Sequence, residues 1–88
     1  MKNINPKNYN ISPRAVLKQN DVGHLFVVVD RKSRIIMKDG NRILEIVDKI
    51  QKVDPSKKVS LLTSAPVCSK TKSMLKENQI NIQELHNV

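Results

Sequence analysis

The sequence predicts a single small α/β domain: a mixed four-stranded sheet with elements in the order α-β-β-α-β-α-β. Three observations carry this. The runs His24–Asp30 (HLFVVVD) and Val59–Thr63 (VSLLT) are apolar and β-branched, the mark of strands covered on both faces. Arg42–Val53 between them places Ile43, Leu44, Ile46, Val47, Ile50 and Val53 at helical spacing with one apolar face. Strand–helix–strand succession calls for parallel neighbours with right-handed crossovers, so a sheet that also holds a short hairpin must be mixed.

In chain order, residues 1–12 (MKNINPKNYNIS) are rich in Asn and Lys without periodicity and read as a flexible arm, leaving 13–88 as the domain. Ser12-Pro13 has the form of a helix start, a capping hydroxyl followed by a proline in the first turn, which predicts a short helix over 13–19. Asn20-Asp21-Val22-Gly23 is a turn. Strand His24–Asp30 follows, then a polar break at Asp30–Ser33 of hairpin length, then a second strand Arg34–Lys38 (RIIMK), antiparallel for so short a loop. The main helix spans 41–53 with Asp39 or Asn41 as cap. Glu45 with Lys49 and Asp48 with Lys52 are acid-before-base pairs four residues apart on it. Asp54-Pro55 stops it. Strand 59–63 and a helix near 69–78 come next, and 80–85 alternates well enough for a fourth strand at the sheet edge.

With 88 residues the chain fills one domain, and a core of Val, Ile and Leu must suffice because aromatic residues make up 2% of it. A two-domain enzyme with a large cleft is excluded, and so is a disulfide scaffold, Cys68 being the only cysteine. No apolar run reaches the roughly 20 residues of a membrane span, and the first residues are not signal-like, so a cytoplasmic protein is expected. Sixteen Lys and Arg against eight Asp and Glu give a formal charge of +8. Such an excess suits a polyanion, whose condensed counterions Lys and Arg replace, and nucleic acid is the expected partner. Arg31, Lys32 and Arg34 at the hairpin turn, with Lys70 and Lys72 on the last helix, are the candidate phosphate contacts. The scarcity of aromatic rings speaks against a surface that stacks single-stranded bases. The competing reading of the same charge is a solvated surface that only maintains solubility.

The stretches VVVDRKSRIIMK (27–38) and KVSLLTSAPVCSKTKSMLKENQINIQ (58–83) resemble, in pattern and topology, the Mrr-type branch of the PD-(D/E)xK restriction-endonuclease-like nucleases. The resemblance covers about residues 20–85. It implies a catalytic hairpin in which Asp30, or alternatively Asp21, binds metal and Lys38 is the catalytic lysine. The second acid, expected two residues before that lysine, is Ile36, which cannot ligate Mg²⁺. Reading Asp30-Arg31-Lys32 as the acid-x-Lys motif instead leaves Asp21 as the earlier acid. Mg²⁺ enters only through this resemblance; no other cofactor is expected, and the chain reads as a binder rather than an enzyme.

Two further classes stay open. The segment Ala65–Lys70 (APVCSK) resembles the cysteine loop of glutaredoxins and arsenate reductases, where a thiol at a helix N-terminus near lysines favours its thiolate; here Thr71 replaces the second cysteine. Alternatively the chain is a small interaction subunit or inhibitor, pairing its basic face or its edge strand 80–85 with an acidic protein or a second copy of itself. His24 and His86 lack ligand-spaced neighbours for zinc.

Overall fold

The computed structural model describes residues 1–85, so His86 lies outside the described residues. The elements are β1 (Lys2–Ile4), a 3-10 turn (Pro6–Tyr9), β2 (Val16–Gln19), β3 (Leu25–Val29), α1 (Met37–Val53), β4 (Val59–Thr63), α2 (Ser69–Glu77) and β5 (Ile82–Glu84). They build a five-stranded sheet in the order β1-β2-β3-β4-β5. The first three strands form an antiparallel meander, and β3, β4 and β5 run parallel. The mixed α/β sheet is as expected. Its strand count and order are not: five strands replace four, and the order is β-β-β-α-β-α-β.

Two local signals misled. Ser12 Oγ does accept an amide, that of Arg14 at 3.3 Å, and Ala15 N–H donates to the Ser12 carbonyl at 3.0 Å, but the chain turns only once before extending. Residues 16–19 are then strand β2, not helix, because pairing β1 on one side and β3 on the other buries Leu17 against the sheet core. The segment read as an arm supplies β1 at one edge of the sheet. The second correction is RIIMK. Its Ile35 makes a single parallel bridge to Val67, and the helix begins at Met37. Asp39 causes this. Its Oδ2 accepts the Ile36 amide at 3.0 Å, a carboxylate reaching back to cap the first turn from three residues inside it. Strand β3 therefore finds its antiparallel partner in β2, upstream.

Leu17, Leu25, Val27, Val59 and Leu61 share one face of the sheet, and Ile43, Val47 and Ile50 of α1 and Leu75 of α2 pack on it. The opposite face carries the rows Lys18–Phe26–Ser60 and Val16–Val28–Leu62–Gln83. Phe26 is buried there beneath the His24 ring, stacked at 4.6 Å, while Val16 remains half exposed. The helices approach each other at Gly40, where a β-carbon would lie 2.7 Å from both Thr71 Cγ2 and Met74 Cε. That glycine brings the first turns of α1 and α2 together. Among the described residues, no helix is long and apolar enough to cross a membrane.

Candidate nucleic-acid interface

The carboxyl ends of β3 and β4 lead into two loops that are stitched together beyond the sheet. Ile35 N–H donates to the Pro66 carbonyl at 2.8 Å, and Cys68 N–H donates to the Ile35 carbonyl at 3.0 Å. Thr63 Oγ1 donates to the Val29 carbonyl at 2.7 Å and accepts the Ala65 amide at 3.0 Å. These bonds satisfy the groups that a strand end leaves open and hold 30–36 beside 64–68.

Arg31 is the hub of the first loop. Its Nε donates to the Ser33 carbonyl at 3.1 Å, while Nη2 donates to the Arg34 carbonyl at 3.1 Å and to Asp39 Oδ2 at 2.6 Å. The pair is half-buried, with side chains 36% and 29% exposed. The Arg31 guanidinium and then the Ile36 amide, each bonded to the carboxylate, hold the Asp39 pKa below its ordinary value against the opposing effect of burial. Arg31, expected as a phosphate contact, thus organises the loop. Lys32 and Arg34 on the same loop are exposed, as are Lys70 and Lys72 on the first turns of α2. All four lie at the carboxyl end of the sheet. Among the described residues none of their side chains has an ion-pair partner; the two pairs formed there are Arg31–Asp39 and Lys52–Asp48.

The nuclease-type assignments fare differently. Asp30 directly follows β3, where its Oδ1 accepts the Ser64 hydroxyl at 2.6 Å. Lys38 sits in the first turn of α1, so it does not face Asp30 across a hairpin. Asp21 lies in the turn between β2 and β3, at the far end of β3, which at about 3.4 Å per residue is roughly 14 Å long. At the Asp30 end the neighbouring strand offers Val16, paired with Val28. Among the described residues no three His, Cys, Asp or Glu side chains are grouped to hold a metal ion. Mg²⁺ wants several carboxylate or water oxygens in a near-octahedral shell, and this donor set does not fit it.

Cys68 caps α2. Its sulfur lies 2.9 Å from Thr71 Oγ1 and accepts the Thr71 amide at 3.4 Å. The bonds to the Thr71 side chain and backbone, with a smaller contribution from the Arg34 charge, lower the thiol pKa. The residue at the second-cysteine position therefore serves as the thiol's hydrogen-bond partner. Sequence reasoning missed Arg14 and Arg42 as members of this end of the sheet and named Asp39 only as a candidate helix cap. Asp39 gave the one usable signal: an acid four residues before the first core-facing Ile43, where it caps a helix.

No protein-family model matches the chain, and no curated protein matches it in sequence. Solved structures do. EndoMS bound to double-stranded DNA superposes with a TM-score of 0.67 at 17% identity, over 81% of this chain and 30% of that one. EndoMS in its apo form gives 0.65 at 15% identity, over 82% and 34%. A repair endonuclease from Pyrococcus abyssi gives 0.65 at 14% identity, over 81% and 31%. The restriction-endonuclease-like resemblance therefore holds at the level of the fold. The chain spans about a third of the length of these proteins.

Proposed function

We propose that this chain is a nucleic-acid-binding domain that uses a nuclease-like frame without its metal centre. The observation that carries the reading is that Lys32 and Arg34 on the loop after β3, and Lys70 and Lys72 at the start of α2, are all exposed at the carboxyl end of the parallel strands. Open α/β sheets place their ligands there, outside the strand ends. The stitched loops hold the two pairs of cations in fixed relation, so that a phosphate chain can meet both without ordering the protein first. Asp30 is a loop anchor in this reading, not a ligand. EndoMS, solved with double-stranded DNA, supports duplex DNA as the first probe.

The test is a fluorescence-anisotropy titration of labelled duplex and single-stranded DNA and RNA, repeated with EDTA and with Mg²⁺. Binding that weakens linearly in log–log salt plots and is indifferent to EDTA supports the proposal. Absence of binding to every probe at low salt, or cleavage that requires Mg²⁺, contradicts it.

A further inference from the structure

A second feature of the same end is a cleft of about 210 Å³ at the junction of β2, β3 and α1, separate from the four cations of the proposed interface. Arg14, Arg31 and Arg42 line it with Asp39, over a floor that includes Ile35 and Ile43. The three guanidiniums come from three elements: the turn before β2, the loop after β3 and the second turn of α1. Arg31 is fixed by its bonds to Asp39 and to two carbonyls, which use Nε and Nη2 and leave Nη1 without an acceptor among the described residues. Arg14 and Arg42 are exposed, and neither has a side-chain partner among the described residues.

The charge in this cleft is specific. Three arginines less one aspartate leave +2, with donors from separate directions and one donor group held rigidly in place. An internal phosphodiester carries one negative charge, whereas a phosphate monoester carries ≈ −1.5 to −2 near neutral pH. Planar guanidinium forks also suit a terminal phosphate, whose three free oxygens can each accept from a different arginine. The space equals that of roughly seven waters at about 30 Å³ each. It admits the phosphate with part of the sugar it esterifies. The aliphatic floor excludes water from beneath and strengthens those bonds.

We infer that the Arg14–Arg31–Arg42 cleft is a pocket for a terminal phosphomonoester, so that the chain recognises phosphorylated nucleic-acid ends and not only the polyanionic backbone. The inference rests on the proposed nucleic-acid binding for the source of its ligand, but the pocket chemistry is shared by a free nucleoside monophosphate. The experiment separates these sources.

Affinities are measured for one duplex sequence bearing 5′-phosphate, 3′-phosphate or only hydroxyl ends, and cytidine 5′-monophosphate is titrated separately by NMR. One phosphorylated end should bind about tenfold more tightly than hydroxyl ends, the scale of a single charge-assisted hydrogen bond. Arg42→Gln and Arg14→Gln should each close that gap and leave hydroxyl-ended binding unchanged. Arg42→Lys, which keeps the charge but loses the fork, should close part of it. Both arginines are exposed, and unchanged thermal melts would confirm that the variants fold. Equal affinity for all ends, or a gap that survives both Gln substitutions, overturns the pocket while leaving nucleic-acid binding intact. If no duplex binds but the mononucleotide shifts the Arg14 and Arg42 side-chain signals in the wild type alone, the pocket stands and the nucleic-acid reading falls. If neither probe binds, both fall.

Discussion

Both ends of the sheet are basic, yet they are built differently. At the carboxyl end, charges sit on loops fixed by the Arg31–Asp39 pair, the Ser64–Asp30 bond and the Ile35–Pro66–Cys68 backbone bonds. At the amino end, Lys57 and Lys58 follow the α1 stop in a turn where Asp54 accepts the backbone and hydroxyl of Ser56, Lys57 N–H donates to the Asp54 carbonyl at 3.1 Å, and the Lys58 carbonyl accepts the Leu25 amide at 2.9 Å. The half-buried His24 bonds through Nε2 to the buried Ser60 Oγ at 2.7 Å within the sheet. Lys32, Arg34, Lys70 and Lys72 are all exposed, whereas Lys57 is half-buried and shares its turn with Asp54, whose charge partly cancels it.

The sharpest way to break this contrast is to reverse charge at each end. The double variant Lys32→Glu and Arg34→Glu should weaken duplex binding about hundredfold at low salt, since four units of charge change on the proposed contact surface. Lys57→Glu with Lys58→Glu, compared with the first variant at about 0.15 M salt where the screening length is about 8 Å, should change it by less than about threefold, because the two lysines lie at the opposite end of the strands from the proposed contacts. Equal losses from the two would dissolve the distinction between the ends.

Gly40→Ala tests the scaffold beneath the carboxyl end. The added methyl meets Thr71 Cγ2, on a buried side chain whose hydroxyl is held 2.9 Å from the Cys68 sulfur, so α2 must move. Overpacking of this kind costs about 1–3 kcal/mol and outweighs the ~1 kcal/mol of helix propensity gained. Denaturant melts should show the net loss, and amide shifts should change in 68–72 but not in 54–58.

The two ion pairs offer a smaller comparison. Arg31→Ala removes three donors at a half-exposed site and should cost about 1–2 kcal/mol, whereas Lys52→Ala, breaking an exposed pair with Asp48, should cost at most ~0.5 kcal/mol. Folding lowers the Asp39 pKa. Its stabilisation is thus complete above the unfolded carboxyl value of about 4 and is lost as pH falls through the lower folded value. Asp39→Asn should remove that part of the acid dependence, measurable as a flatter plot of stability against pH below about 4.

How much of this was legible follows from the range of the forces involved. The parallel half was legible because α1, β4 and α2 announce themselves locally: Ile43, Val47 and Ile50 at helical spacing, VSLLT uninterrupted, and a polar helix after Cys68. The antiparallel half was not. β2 has four residues, and only its non-local pairing with β3 makes Leu17 a core residue. β1 is the tripeptide KNI in a polar stretch with no alternation to read. The Ile35–Ile36 pair carries strand propensity, and the cap that overrides it acts from Asp39, behind an N-cap residue, Ile36, that has no capping side chain. The basic cluster was legible residue by residue as Lys32, Arg34, Lys70 and Lys72. That Arg31 serves as internal scaffold, and that Arg14 and Arg42 share its cleft, depends on three separated segments meeting.

The most direct measurement is an NMR titration of the labelled chain with duplex DNA at low salt. Shifts concentrated in 30–36 and 64–72, with the amino-end residues 24 and 54–58 unmoved, are the predicted result. Shifts centred on His24, Lys57 and Lys58, or none at all, would contradict the assignment of binding to the carboxyl end.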